Sequence, residues 1–206
     1  MKLPMGLVLP LRLPVAAALA LALGACSLGG LLGGGKAPPT LLTLTPEAAL
    51  SSDTARVANA GEAVTIAVPI VSKELRSIRV PVQVSHTEVA YVKDLQWVDT
   101  PDKLFKDLLA ETVRRRTGRV VLDPKQSTLD PGVQVSGQLH RFGYDAAAQA
   151  VIVRFDGALS TAGGTRVETR RFEAQVPASG DAASVGPALS RAANQVALEA
   201  ASWIGR

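Results

Sequence analysis

The sequence predicts an α+β domain of two layers, a mostly antiparallel sheet with two amphipathic helices packed on one face. Three observations predict it. Apolar residues alternate with period two in several segments, and they recur at helical spacing in two others. These segments run in the order strands, helix, strands, helix. Each helix carries a single apolar stripe, which is most simply buried against one face of a shared sheet.

The elements follow in chain order. Leu41-Leu42-Thr43-Leu44-Thr45-Pro46 reads as a short first strand that stops at proline. Residues 51–61 are small and polar, as a loop requires. Val64, Ile66, Val68 and Ile70 alternate with Thr65, Ala67 and Pro69, which predicts a half-buried strand with Pro69 near its end or at a sheet edge. Residues 77–85 are extended too, with Ile78, Val80, Val82 and Val84 on one side. Pro81 marks that strand as an edge or an interrupted one. A short strand at Val89-Ala90-Tyr91-Val92 precedes Trp97.

The first helix is well delimited. Thr100 stands at the N-cap position and Pro101 at the first helical one, where its missing N–H costs nothing. Leu104, Phe105, Leu108, Leu109, Thr112 and Val113 form the stripe, and Gly118 supplies the stop. A short strand from Arg119 to Leu122 follows. Val133, Val135 and Leu139 then alternate with Gln134, Ser136, Gln138 and His140, and a bend at Gly143 brings Phe142 and Tyr144 to the apolar side. Val151, Val153, Phe155 and Leu159 share a face of the next strand. Ala162-Gly163-Gly164-Thr165 is a hairpin turn, and a last strand runs from Arg166 to Val176. The second helix spans about Asp181 to Ile204. Its stripe is Val185, Leu189, Ala192, Ala193, Val196, Ala200 and Trp203, with Ser190, Arg191, Asn194, Gln195 and Ser202 opposite.

The first 40 residues are of another kind. Lys2 and Arg12 precede an uncharged run, Val15 to Leu23, that is shorter than the roughly 20 residues needed to span a bilayer. Leu23-Gly24-Ala25-Cys26 follows directly. This is similar to the bacterial lipobox, with Leu23, Gly24 and Ala25 as the signal-peptidase recognition residues and Cys26 as the lipid attachment point. Cys26 is the only cysteine in the chain, and lipidation with acyl chains such as palmitate would leave no loose thiol. Residues 1–25 are therefore read as a cleaved signal peptide, 26–40 as a lipidated Gly/Pro-rich tether, and 41–206 as a single domain. Several acyl chains on one residue anchor a protein firmly. Ser27 stands where aspartate would signal inner-membrane retention, so the expected location is the periplasmic face of the outer membrane.

Composition removes several function classes. Of the 22 Lys and Arg, Lys2 and Arg12 lie in the leader, so the mature chain carries about +2 against its 18 acidic residues. No polybasic run or basic-aromatic stripe suggests nucleic acid. Arg114-Arg115-Arg116 sits at a helix C-terminus, where it complements the dipole or contacts a phosphate or lipid headgroup. Gly30 to Lys36 fits part of a phosphate-binding loop, but Ala37 follows, no strand precedes it, and prolines come next. His86 and His140 have no neighbours at metal-ligand spacing, no G-x-S-x-G elbow occurs, and no cofactor is expected. The chain is not expected to be an enzyme. Three residues are candidate partner contacts. Tyr91 and Trp97 form an exposed aromatic surface unless Trp97 packs under the first helix. Leu198 lies about 180° from Leu189 at 100° per residue, as a lone exposed leucine or a subunit contact.

Taken in order, these segments resemble the ABC-type transport auxiliary lipoprotein family (PqiC-like). A lipobox and Pro-rich tether precede Leu42-Thr43-Leu44-Thr45-Pro46, similar to a family opening that has an aromatic where Leu42 stands. Ile66-Ala67-Val68-Pro69, Tyr91, Gln96-Trp97-Val98-Asp99-Thr100-Pro101 and Arg170 to Pro177 continue the likeness, and an alanine-rich helix ending near Trp203 closes it. The resemblance implies an accessory that docks or receives cargo for a transporter built on mammalian-cell-entry (MCE) domain proteins, with an ABC permease and ATPase as further partners. The cargo would be phospholipid or another hydrophobic compound moved between the two membranes, in support of membrane integrity. It also makes a homo-oligomeric ring a natural expectation. The alternatives are a stand-alone lipid-binding carrier and an envelope assembly or structural lipoprotein.

Overall fold

The computed structural model describes residues 40–49, 55–126, 128, 130, 132–161 and 164–206. The lipobox-like Leu23-Gly24-Ala25-Cys26 segment and the Gly30–Lys36 segment lie outside the described residues.

The strands are β1 (Val64–Ile66), β2 (Ile70–Val71), β3 (Arg79–Gln83), β4 (Val89–Gln96), β5 (Val121–Leu122), β6 (Val133–Asp145), β7 (Ala150–Thr161) and β8 (Arg166–Pro177). The helices are α1 (Pro101–Thr117), after β4, and α2 (Ala182–Ile204), after β8. Together they form the two-layer α+β domain that the alternation of patterns predicts, around one sheet of eight strands.

The sheet is mixed, more so than the sequence suggests. β6 is 13 residues long, and β7 pairs with it antiparallel along its whole length, with β8 beyond. The other edge of β6 is shared by three short strands, all parallel to it. Val64 pairs with Val133, Ile70 with Gln138 and Val82 with Tyr144. β5 adds in parallel outside β1, and β4 antiparallel outside β3.

Three local expectations change. The single strand expected through Val64–Ile70 is divided at Val68-Pro69. Val64 and Ile66 are buried, whereas Val68 and Ile70 are exposed and Val71 takes the inward place. A proline lacks the N–H that a continuous ladder needs, so the chain breaks and resumes out of phase. The Leu41–Pro46 segment is no sheet strand but an extended strap with one bridge, Leu42 to Trp97. β3 is not an edge. It lies between β4 and β6, and its register slips between Arg79 and Pro81.

The bend in β6 falls at His140 rather than Gly143. Leu139 faces Phe155 and Arg141 faces Arg154, so His140 has no opposite number. This bulge reverses the alternation, and Phe142 and Tyr144 join Val133, Val135 and Leu139 on the covered side. Gly143 has a different task. A methyl group there would overlap the Pro81 carbonyl and crowd the proline ring, so glycine lets β3 close on β6.

The core lies between sheet and helices. α2 crosses β7 and β8 and packs beside α1. Its buried side is Val185, Leu189, Ala192, Ala193, Val196, Ala200 and Trp203, the stripe read from the sequence. Asp181 caps it by accepting from the Ser184 amide at 2.9 Å. Thr100 occupies the N-cap position of α1 without a side-chain capping bond, and Gly118 ends that helix at φ 70°. All four phenylalanines and both tryptophans form one row through the core: Trp97, Phe142, Phe105, Phe155, Phe172 and Trp203. Successive centroids lie 5.5, 6.4, 5.1, 6.4 and 5.5 Å apart. Each such ring stabilises the fold by about 1.5–3 kcal/mol through burial alone.

Candidate functional site

The segment that opens the domain is fastened to both helices. Thr43-Leu44-Thr45-Pro46 is extended and cannot satisfy its own backbone groups, so they must find partners elsewhere. Leu42 donates its amide to the Gln96 carbonyl at 2.8 Å and accepts from the Val98 amide at 2.9 Å. Its side chain lies over Gly186, at the start of α2. Asn194 then takes hold of the strap. Its Oδ1 accepts from the Glu47 amide at 2.8 Å, and its Nδ2 donates to the Thr45 carbonyl at 3.0 Å. Nδ2 also donates to the Ser190 carbonyl at 3.0 Å, so this buried amide is satisfied.

Arg115 holds the same segment from α1. It donates to the Ala48 carbonyl at 3.1 Å and the Pro46 carbonyl at 3.4 Å. Glu111 accepts from Arg115 Nε at 2.7 Å and from Arg114 at 3.3 Å. The hydrogen bond from Arg115, with Arg114 beside it, keeps the Glu111 carboxyl below its usual range. The arginine cluster therefore does more than complement the helix end. Residues 42–48 are locked onto both helices, and any pull along the preceding chain passes into the helical layer.

The predicted contact residues fall in different places. Trp97 is only 1 % exposed and packs against Phe142, so it belongs to the core and is not part of an exposed aromatic surface. Tyr91 is half-buried on the open face of the sheet, opposite Pro81, with the Arg79 guanidinium 4.0 Å from its ring centre. Leu198 is 42 % exposed on α2. It lines a recess of about 450 Å³ with Glu47, Ala48, Thr112 and Asn194, where the strap meets the two helices. The structure does not bring Tyr91 and Leu198 together: they lie on opposite layers.

The open face of the sheet is a polar ladder. Arg154 pairs with Glu173, and Arg171 donates to Asp156 through two bonds of 2.7 and 2.6 Å. His140 Nε2 lies 3.1 Å from Asp156, and Arg141 pairs with Asp145 at 2.6 Å. Arg171, with His140, keeps the Asp156 carboxyl below its usual range. These charges balance one another and hold strands in register. Among the described residues there is no group of three or more His, Cys, Asp or Glu placed to hold a metal ion. No described helix is long and apolar enough to cross a membrane.

The pattern of residues misses the role of Asn194 and gives Arg115 only a helix-end or phosphate role, whereas both hold the strap. Asn194 was placed on the polar side of its helix, yet it is buried under the strap. The available signal was the extended Thr43–Pro46 segment, whose backbone required partners.

Comparison with known proteins supplies a context for this geometry. Residues 42–201 match the family model of the ABC-type transport auxiliary lipoprotein component. The match begins at the first strap residue that the domain grips. Among solved structures, protein XCC0632 from Xanthomonas campestris, of the DUF330 family, is similar at a TM-score of 0.61 and 21% identity, over 80% of this chain and 91% of that one. An uncharacterized protein of known structure is similar at 0.57 and 13% identity, over 74% of this chain and 95% of that one. Both likenesses concern the fold. Among curated proteins, none matches the sequence.

Proposed function

Since the chain belongs to the ABC-type transport auxiliary lipoprotein family, we propose that it is a lipid-anchored accessory subunit that docks on a transporter built on MCE-domain proteins. In this reading Cys26 carries the acyl chains, and the domain faces the periplasm from the outer membrane. The cargo that passes is phospholipid or another hydrophobic compound.

The observation that carries the proposal is the family match across nearly the whole domain, starting just beyond a segment that resembles a lipobox and tether. The strap supports it physically. A tether of about 14 residues has a random-coil span on the order of 20 Å. The strap that follows it is fixed to both helices by Asn194 and Arg115, so a docked domain stays coupled to its anchor. Leu198 offers an exposed contact on the helical layer and Tyr91 a half-buried one on the sheet. Self-association into a ring would match the symmetry of a tubular partner.

The test is affinity purification of the full-length protein from gently solubilised membranes, with mass spectrometry of proteins and lipids. Recovery of an MCE-domain protein with an ABC permease supports the proposal. Recovery of stoichiometric lipid without those proteins would replace it with the stand-alone carrier reading.

A further inference from the structure

A second site lies at the other end of the aromatic row, where both helices terminate. Thr117 of α1 and Gly205, just past α2, are in contact there. Between them and the sheet is a recess of about 430 Å³, within the range of small-ligand sites. Arg119 enters it from the segment after α1, Arg166 from the start of β8, and Arg206 from beyond α2. Leu159, Trp203 and Ile204 supply its apolar wall, and Thr161 adds a hydroxyl.

Its guanidinium groups outnumber its side-chain carboxylates. Among the described residues Glu168 is the only acidic side chain lining it, and both of its oxygens are engaged. Oε1 accepts from Trp203 Nε1 at 2.5 Å, and Oε2 lies 3.5 Å from Arg166. Among the described residues, neither Arg119 nor Arg206 has an ion-pair partner. The two helix C-termini add a partial negative charge of roughly half a unit each. Counting the α-carboxylate of Arg206, three guanidinium groups face two carboxylates and the two helix ends, so the recess is rich in guanidinium donors without an ion-pair partner rather than strongly positive. Complementing the helix ends does not account for Arg166, which comes from a strand.

We infer that this recess binds a phosphate group, with Arg119, Arg166 and Arg206 as its ligands. Guanidinium forks match the oxygens of a phosphate, and charge-assisted bonds of this type are strong ones. The apolar wall of Leu159, Trp203 and Ile204 lies beside that charge, as the first methylenes of a phospholipid would require. The shared chemistry is a phosphate, carried by a lipid headgroup or free in solution. The inference does not depend on the transporter reading, because no partner protein contributes to the recess.

The experiment is calorimetric titration of the full-length protein in a non-ionic detergent with two probes. One is inorganic phosphate. The other is dihexanoyl phosphatidylglycerol below its micelle concentration. The Arg119→Gln/Arg206→Gln double variant should keep the unfolding midpoint, since neither side chain makes an ion pair. Saturable binding that weakens at least tenfold in this variant, and weakens with added salt, is the expected result. Tighter binding of the lipid, displaced by phosphate, identifies a headgroup. Equal or tighter binding of phosphate identifies a free-anion site. Absence of binding by both probes, or binding unchanged in a folded double variant, overturns the inference.

Discussion

Asn194, buried in α2, donates to the carbonyl of Thr45 at 3.0 Å across 149 positions of sequence. That bond and its companion to the Glu47 amide tie the start of the domain to its last helix. The strap is thereby part of the fold rather than an appendage to it.

Removing this side chain leaves the strap's groups without partners. Asn194→Ala is expected to destabilise the protein by about 1–3 kcal/mol, the usual cost of stranding buried polar groups. Urea unfolding measures the loss, and hydrogen exchange at the Glu47 amide should accelerate first. Arg115→Ala should cost less. The double variant should show coupling, because both residues hold one segment.

Gly143→Ala tests the junction between β3 and β6. The added methyl meets the Pro81 carbonyl, which belongs to backbone and cannot turn aside. A loss of about 1–3 kcal/mol is expected, as for overpacking elsewhere. Gly118→Ala is a useful contrast: nothing lies near its added methyl, and the cost there comes from its φ of 70°. Amide exchange should rise in β3 for the first variant and at the end of α1 for the second.

Asp130 should contribute to acid sensitivity. Its carboxylate accepts from the amides of Ala63 at 3.0 Å, Gly132 at 3.1 Å and Gly61 at 2.9 Å. These bonds lower its pKa in the folded state. A lowered folded value means that the stabilisation is complete above the unfolded value of about 3.9 and is lost as pH falls through the folded one. Stability should therefore decline below about pH 4. In Asp130→Ala the protein should be weaker at neutral pH, with a shallower acid slope. Unfolding midpoints between pH 7 and 2.5 would check both.

Much of the architecture was legible because the core-forming positions obey simple periods. The stripe of α2 and the apolar positions of β7 are inward where the pattern puts them, and the layer order follows. The parallel pairing of β1, β2 and β3 was not legible, since alternation reports which face a residue takes and not which neighbour it joins. The bulge at His140 and the break at Pro69 are shifts of phase, and a shift by one residue reverses every later assignment. Trp97 illustrates a further limit. An aromatic before a helix suits a core or a contact surface equally well, and the Phe142 contact that places it in the core is long-range. Asn194 was hidden by its type, because a polar residue beside a polar face gives no sign that a distant strap will cover it.

The most direct test of the docking account is photo-crosslinking in living cells from position 198, with a photoreactive residue in place of Leu198 and Cys26 intact. The account predicts a covalent adduct with an MCE-domain protein or a second copy of this chain, lost in Cys26→Ser when the protein no longer reaches the membrane. Equal reaction with unrelated envelope proteins, or no adduct from position 198 or position 91 in a folded, membrane-bound protein, would contradict it.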